Sequence, residues 1–307
     1  MTVVAVIDTG TNSTRLLVAD AGDGKVREIA RRTEVTRLGE GVDKSGRLNR
    51  SARARVQRAV DGYAEIIARH NAQRTVILAT SSVREAADGE EFLAWLAESH
   101  YLSERLLSGA EEAALSYLGA TFSLPDRQRI MLFDVGGGST EIAAGKVGRV
   151  DYARSLDIGC VRITERFFKN DPVLPVEADA AAGFINDLLQ TKVDPHYLVG
   201  IEIAVAVAGT VTSLAAVDLG LKKYDRDAVH GHLLTREKVG ALFDRLAGLS
   251  LKQRLKINTI EQGRADVIVG GALIVLKLME YSGIDALTVS ENDILDGAAL
   301  KLAAGEL

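Results

Sequence analysis

The chain has 307 residues, of which 47% are apolar and 26% are charged, close to the averages for folded soluble proteins. This composition excludes wholesale disorder and collagen-like repeats, and the length suits two domains of about 150 residues each. The formal net charge is −5 and the pI is near 5.7, so we expect no binding to nucleic acid. We also expect no membrane span, because no apolar stretch reaches the roughly 20 residues that a bilayer requires.

The amino terminus enters a strand-like stretch at residues 3–7 without the basic start and cleavage site of a secretory signal. This start favours a cytoplasmic protein. The single cysteine, Cys160, excludes an internal disulfide and a cysteine-based metal cage. We expect Cys160 to be a small buried side chain.

The first half of the chain predicts a β-hairpin followed by alternating helices and strands. The hairpin consists of strands at residues 3–7 and 15–19, joined by a Gly-rich turn. A helix over residues 51–70 follows, with Ser51 as its candidate cap. The later predicted elements are a strand at residues 75–79, a helix around residues 92–96, and a helix that opens at Ser108 and Gly109.

The second half restarts the same plan near Arg129. Its predicted strands are at residues 130–133, 142–144, 202–207 and 286–290, and its predicted helices are at 160–168, 176–190, 236–246 and 264–281. Alternating strands and helices predict α/β layers. We place the domains at residues 1–124 and 125–307, with a C-terminal helix at about 293–307 as a candidate to pack back on the first domain.

The most informative feature is a repeated turn. Residues 8–14 and 134–140 both fit the pattern D-x-G-x-x-S-T, and the two copies are 126 residues apart. Each copy lies between two strands, so it is a hairpin turn. It is therefore neither a Walker loop nor a dinucleotide fingerprint, which open helices.

Such turns are suited to binding phosphate. Glycines let backbone amides approach an anion without a Cβ in the way, and small hydroxyl side chains add donors. An aspartate beside a phosphate site would repel the anion unless a divalent cation lay between them. The repeat therefore predicts phosphate together with Mg²⁺ or Mn²⁺.

Several stretches in order along the chain carry a resemblance to a known family. They are residues 7–13, 79–86, 108–113, 133–142, 207–210 and 229–235, and the most specific is D-V-G-G-G-S-T-E preceded by S-G-x-E-E-A. With them the chain resembles the exopolyphosphatase/guanosine pentaphosphate phosphohydrolase family of the actin-like ATPase superfamily. The resemblance implies an α/β fold of two ribonuclease H-like (actin-like ATPase) domains around a central cleft. It also implies hydrolysis of terminal phosphates from inorganic polyphosphate, or alternatively from guanosine pentaphosphate.

The chain looks like the short form of this family, without additional helical domains, which makes short polyphosphate chains the expected substrate. Homodimers are common in the family, so a homodimer is a further expectation. One departure is Ala114, where some relatives have arginine, and this removes one expected phosphate contact.

The resemblance also implies roles for individual residues. Glu112 is the expected catalytic carboxylate, with Glu111 as its competitor, and Asp8, Asp134 and Glu141 are the expected ligands of Mg²⁺, with Mn²⁺ as the alternative. Arg15 is a weaker phosphate contact, and His230 and His232 are expected to be structural. The expected phosphate contacts are Gly10, Thr11, Asn12, Ser13, Arg84, Gly136, Gly137, Gly138 and Ser139.

Two other functions fit the same fold. One is a kinase that transfers phosphate to an alcohol or a carboxylate, and the other is a sensor that binds polyphosphate or guanosine alarmones without hydrolysing them. The context of Glu112 favours water as the acceptor, because hydrolysis needs a group that orients a water molecule or accepts its proton.

Overall fold

The computed structural model describes residues 1–125 and 128–307. Its strands are β1 (Thr2–Thr9), β2 (Thr14–Gly22), β3 (Lys25–Glu34), β4 (Arg74–Ala79), β5 (Ser103–Leu106), β6 (Ile130–Val135), β7 (Thr140–Lys146), β8 (Arg149–Leu156), β9 (Ile203–Val207), β10 (Leu233–Thr235) and β11 (Ala286–Val289). Its helices are α1 (Val42–Ser45), α2 (Arg50–Arg69), α3 (Ser81–Glu85), α4 (Gly89–His100), α5 (Gly109–Thr121), α6 (Cys160–Phe167), α7 (Pro175–Lys192), α8 (Ala208–Asp218), α9 (Arg226–Val229), α10 (Arg236–Ala247), α11 (Leu251–Arg254), α12 (Ile268–Ser282) and α13 (Ile294–Ala304), with a short 3₁₀ turn at Pro195–Leu198.

The chain divides into two compact units. Unit 1 contains Met1–Leu124 and Asn292–Leu307, and unit 2 contains Pro125–Glu291. The last residues of the chain, with α13, therefore belong to the same unit as the first strand. Two residues of the predicted interdomain connection, Asp126 and Arg127, lie outside the described residues.

Unit 1 is built on a five-stranded sheet in the order β3-β2-β1-β4-β5. Strands β1, β2 and β3 are antiparallel neighbours, whereas β4 and β5 run parallel to β1. Side chains alternate across β1: Val4 and Val6 pack with α5 and α13, and Ala5 and Ile7 pack with α2 and α4 on the opposite face. Both faces are therefore covered, and the turn after β1 lies at the end of a rigid strand.

Unit 2 repeats this plan in a six-stranded sheet of order β10-β11-β9-β6-β7-β8. Strands β6, β7 and β8 are antiparallel, β9 and β11 run parallel to β6, and the extra strand β10 is antiparallel to β11. Phe133 of β6 lies in one hydrophobic core with residues of α8, α10 and α12. The repeated sheet confirms the predicted α/β class and the internal repeat.

Some local predictions were wrong. The cap of α2 is Asn49, whose side chain accepts a hydrogen bond from the Ser51 amide at 2.9 Å, so Ser51 lies inside the helix. Helix α12 begins at Ile268 and not at residue 264. Within the described part of the chain, no helix combines the length and the apolar character that crossing a bilayer requires.

Candidate active site

The two repeated turns close in the same way. We call residues 10–13, between β1 and β2, the first loop, and residues 136–139, between β6 and β7, the second loop. The Gly10 amide donates to the Ser13 carbonyl at 3.0 Å, and the Gly136 amide donates to the Ser139 carbonyl at 3.1 Å. A Cβ on Gly10 would lie 3.2 Å from the Ser13 carbonyl oxygen, and a Cβ on Gly136 would lie 3.1 Å from that of Ser139, so a side chain at either position would crowd its turn.

The first loop is held from behind by residues 36–39, which we call the first backing segment. The amide of Arg37 donates to the Asn12 carbonyl, and the amide of Gly39 donates to the Thr11 carbonyl, both at 2.9 Å. Gly39 is packed so closely that a Cβ there would lie 2.2 Å from the Thr11 methyl group. The carbonyl oxygens of the loop therefore face the backing segment.

The second loop has a matching second backing segment, residues 158–162. The Cys160 amide donates to the Gly136 carbonyl, and the Val161 amide donates to the Gly137 carbonyl, both at 2.9 Å. These donors are the first amides of α6, which would otherwise have no acceptor within the helix.

A buried arginine and a glycine complete the second backing segment. The Arg162 side chain is 8% exposed, and its Nε donates to the Gly138 carbonyl at 2.9 Å. A Cβ on Gly159 would lie 2.3 Å from the carbonyl carbon of Gly137, so loop and segment touch backbone to backbone. Three successive carbonyls of the second loop are thus turned toward the segment.

This arrangement fixes the direction of the loop amides. In a planar trans peptide the carbonyl oxygen and the amide hydrogen of the next residue point in opposite directions. The amides of Asn12 and Ser13, and those of Gly137, Gly138 and Ser139, therefore face away from the backing segments. Successive amides that point to one side form a concave site for an anion.

The two glutamates at the start of α5 have different surroundings. Glu111 completes a capping box, in which its Oε2 accepts from the amide and the hydroxyl of Ser108 at 2.8 and 2.7 Å. Its other oxygen pairs with Arg105 at 2.8 Å, and these hydrogen bonds lower the pKa of Glu111 to about 2. The Glu111 carboxylate is thus engaged in holding the helix terminus.

Glu112, by contrast, is only 8% exposed and lies beside an arginine. Nη1 of Arg84 is 3.3 Å from the Glu112 Oε2 and also donates to the Leu107 carbonyl at 2.7 Å. Arg84 belongs to the short helix α3, whose first residue, Ser81, has its hydroxyl 3.1 Å from that of Thr11. Helix α3 therefore links the first loop, Arg84 and Glu112 within unit 1.

The two hairpins differ in the residue that faces the leading aspartate. Asp8 is the register partner of Arg15 across β1 and β2, whereas Asp134 is the register partner of Glu141 across β6 and β7. Side chains of directly opposed residues lie on the same face of a sheet, about 5 Å apart at Cβ. The first hairpin therefore opposes unlike charges, and the second opposes two carboxylates.

Residues 17–304 match the sequence model of the Ppx/GppA phosphatase family. Exopolyphosphatase 2 of Mycobacterium tuberculosis is 40% identical over 317 residues, covering 99% of both chains. The chain belongs to the Ppx/GppA phosphatase family. A solved structure of an exopolyphosphatase-like protein is 34% identical and superposes with a TM-score of 0.91 over 99% of both chains. The guanosine-5'-triphosphate,3'-diphosphate pyrophosphatase of Vibrio vulnificus is 28% identical and aligns with 97% of this chain and 59% of its own length.

These relatives confirm the resemblance inferred from the motifs and the predicted fold of two actin-like domains.

The predicted metal ligands lie in both units, Asp8 in unit 1 and Asp134 and Glu141 in unit 2. Over residues 1–125 and 128–307, no three His, Cys, Asp or Glu side chains gather into a metal site. Asp8 is nevertheless 3% exposed, and its Oδ1 is buried without a hydrogen-bond partner among the described residues. Burial raises the pKa of Asp8, partly offset by Arg15.

Asp134 and Glu141 also fit a divalent cation. The two residues are 8% and 1% exposed, and two opposed carboxylates at this burial are costly unless a positive charge lies near them. The Ser155 hydroxyl donates to Glu141 Oε1 at 2.6 Å and so fixes one of its oxygens. An all-oxygen donor set of this kind is what Mg²⁺ prefers.

Sequence reasoning missed the two backing segments. The signal in the sequence was an apolar residue followed by glycine after the third strand of each unit: Leu38 with Gly39, and Ile158 with Gly159. Arg15, considered a weak phosphate contact, pairs with carboxylates instead.

The other residues singled out in the sequence make contacts that fit the expected structural roles. His232 pairs with Asp218 at 2.7 Å, and His230 Nδ1 accepts from the Glu291 amide at 3.1 Å. Cys160 is buried, and burial raises the pKa of its thiol to about 11.

Proposed function

We propose that this Ppx/GppA phosphatase is an exopolyphosphatase, which hydrolyses terminal phosphoanhydride bonds of inorganic polyphosphate and releases orthophosphate. The proposal depends on the hydrogen bonds between the two glycine loops and their backing segments. These bonds use the loop carbonyls, so that the loop amides face the other way and can donate to phosphate. The similarity to exopolyphosphatase 2 over almost the whole chain supports the same substrate class.

In this proposal the loops bind phosphate oxygens. Amides in a row can bind a multiply charged chain even though the protein carries a net charge of −5, because the favourable potential is local. The groups assigned to phosphate are Thr11, Asn12 and Ser13 of the first loop, Gly137, Gly138 and Ser139 of the second loop, and Arg84. The predicted phosphate contacts Gly10 and Gly136 instead use their amides to close the turns.

Glu112 is assigned to the attacking water. Its carboxylate is shielded from solvent and is not used to cap α5, which is the task of Glu111. A carboxylate in this position can orient a water molecule toward phosphorus and accept its proton. Arg84 contacts Glu112 and belongs to the helix whose first residue, Ser81, contacts Thr11 of the first loop, so it is suited to contact the phosphoryl group that is transferred.

We assign Mg²⁺, with Mn²⁺ as the alternative, to Asp134, Glu141 and Asp8. When bound, the cation would neutralise charge on the phosphate oxygens and on the leaving group. Within each unit, the paired strands hold these carboxylates at their ends.

A second candidate substrate is guanosine pentaphosphate. It is favoured by the similarity to the Vibrio vulnificus pyrophosphatase, which is lower in identity than the similarity to exopolyphosphatase 2. A cytoplasmic location and a homodimer stay predictions from the sequence.

The experiment is a substrate panel with a matched pair of variants. Phosphate release with Mg²⁺ is measured for tripolyphosphate, medium and long polyphosphate, guanosine pentaphosphate and ATP. The variants are Glu112→Gln and its neighbour Glu111→Gln, which receives the same chemical change one position earlier. We expect Glu112→Gln to lower kcat on polyphosphate by about 10²- to 10⁴-fold and Glu111→Gln to stay within about threefold of the native value.

Three outcomes would contradict the proposal. Equal losses of kcat in both variants would contradict the role of Glu112 at the attacking water. Phosphate release from guanosine pentaphosphate but not from polyphosphate would show that guanosine pentaphosphate is the substrate. No release from any substrate, although polyphosphate raises the melting temperature, would indicate a sensor.

A further inference from the structure

A guanidinium in unit 1 joins two carboxylates from opposite ends of the chain. Nε and Nη2 of Arg15 donate to Oδ2 of Asp8 at 3.1 and 2.6 Å. Nη1 of the same side chain donates to Oδ2 of Asp293, 278 residues later. All three side chains are largely buried, with 18%, 5% and 9% of their side-chain surface exposed for Arg15, Asp8 and Asp293.

Asp293 is itself held in place by the start of α13. Its Oδ1 accepts from the Leu295 amide at 3.0 Å, and its own amide donates to the Asp296 carboxylate at 3.0 Å. Its carbonyl oxygen lies against α5, where a Cβ on Gly119 would be only 1.8 Å away. The carboxylate that anchors Arg15 therefore has little freedom to move.

The charges of this triad matter for Asp8. Arg31, which pairs with Asp296 at 2.9 Å, adds a second positive charge near Asp293. The three buried aspartates and these two arginines together leave a net charge of −1, so the Arg15 charge is shared and does not fully neutralise Asp8. Arg15 holds Oδ2 of Asp8, while Oδ1 is buried without a partner among the described residues. Oδ1 is therefore the oxygen of Asp8 that the described residues leave for a cation.

We infer that Asp293 is a positioning residue for the metal site: it anchors Arg15, and Arg15 orients Asp8 so that Oδ1 is left for a divalent cation. The inference rests on the proposed metal-dependent function for its choice of ligand. Asp293 lies near the end of the chain and acts on the metal site only through Arg15, without touching substrate or metal. Without the Asp293 charge, Arg15 and Asp8 would form a neutral pair with less attraction for a cation.

The test measures Mn²⁺ binding to the full chain without substrate, by the electron paramagnetic resonance signal of free Mn²⁺. Asp293→Asn removes the charge, but asparagine is still a good helix cap. The matched control is Asp194→Asn, since Asp194 is also an aspartate cap, accepting from the His196 amide at 2.9 Å. We expect Asp293→Asn to weaken Mn²⁺ binding by about 10- to 100-fold, the range for residues that support a metal ligand, and Asp194→Asn to leave it unchanged.

A double-mutant cycle separates positioning from a general structural role. In an Asp8→Asn background, the further change Asp293→Asn should have no effect on Mn²⁺ affinity, because Asp293 acts through Asp8. If the two losses add, or if Asp293→Asn alone binds Mn²⁺ like the native chain, the inference is wrong. A native chain that binds no Mn²⁺ overturns it as well.

The result is independent of the assay for the proposed function. If native protein shows the predicted Mn²⁺ pattern but releases no phosphate from polyphosphate, the function is wrong and the inference stands. If Asp293→Asn does not fold, Arg15→Lys replaces it, because lysine keeps the charge but lacks the planar fork by which Nε and Nη2 hold Asp8 while Nη1 holds Asp293. Native Mn²⁺ affinity in Arg15→Lys would overturn the inference.

Discussion

The contact between the second backing segment and the second loop can be disturbed by one methyl group. In Gly159→Ala the new Cβ would lie 2.3 Å from both the carbonyl carbon and the oxygen of Gly137, and 2.5 Å from the Gly138 amide nitrogen. Ordinary contacts of a Cβ are 3.4–4 Å. Because the atoms met are backbone atoms, the loop must move by about 1 Å to restore van der Waals separation.

The size of the effect follows from that displacement. Overpacking of a tight contact costs about 1–3 kcal/mol of folding free energy, or roughly 2–4 °C in melting temperature for each kcal/mol. A misplacement of about 1 Å in groups that position a substrate can cost about 100-fold in rate. We therefore expect Gly159→Ala to lower kcat/KM for polyphosphate by about 10- to 100-fold and to lower Tm by several degrees.

The control is Gly183→Ala. Gly183 lies within α7, and a Cβ there would meet no heavy atom within 4 Å, so alanine should raise stability by about 0.5–1 kcal/mol. Initial rates of phosphate release give kcat and KM, and thermal unfolding gives Tm for both variants. Native kcat/KM and Tm in Gly159→Ala would show that the loop does not depend on this contact.

Three further predictions concern other positions. Ala208 has a φ of 72°, a left-handed conformation that glycine adopts at lower cost than alanine. Ala208→Gly should therefore raise the free energy of unfolding, measured by urea titration, by about 0.5–1 kcal/mol. A decrease of the same size would contradict backbone strain at this position. The Glu111 pKa is lowered to about 2, so Glu111→Gln should reduce the free energy of unfolding above pH 4.5, and this loss should disappear as the pH falls through 2. Because the Glu111 carboxylate is partly exposed, we expect a loss of only about 1 kcal/mol. A loss that does not depend on pH would contradict the role of Glu111 as a charged cap. EDTA should abolish phosphate release and Mg²⁺ or Mn²⁺ should restore it, whereas full turnover in chelator would refute the metal requirement.

The sequence was most informative where structure is decided locally. The turns after β1 and β6 could be predicted because glycine, aspartate and hydroxyl residues each have a reason to be there, and buried strands show their apolar runs directly. Strand β3 was missed because most of its residues are exposed and charged, with no apolar alternation. Helix α8 was missed for the opposite reason, since it is buried almost all round and shows no amphipathic period.

The parts of the site that were not predicted depend on contacts between distant segments. Gly39 and Gly159 look like ordinary glycines in the sequence, and their importance comes only from the loop packed against each of them. Arg162 could equally have been a surface residue of α6. The pairing of Arg15 with Asp293 requires the chain to return to unit 1, which no local pattern of residues can indicate.

The repeated motif predicts that the two hairpins have the same backbone, and it is the next residue that separates their chemistry. After D-x-G-x-x-S-T the first copy has Arg15 and the second has Glu141, each opposite the leading aspartate. In the first hairpin the Arg15 guanidinium holds one oxygen of the aspartate, Oδ2, and the other oxygen, Oδ1, is buried without a partner among the described residues. In the second hairpin the opposed residue adds a further negative charge. We therefore expect the loops of both units to bind phosphate, and we expect the hairpin with two carboxylates to attract a divalent cation more strongly.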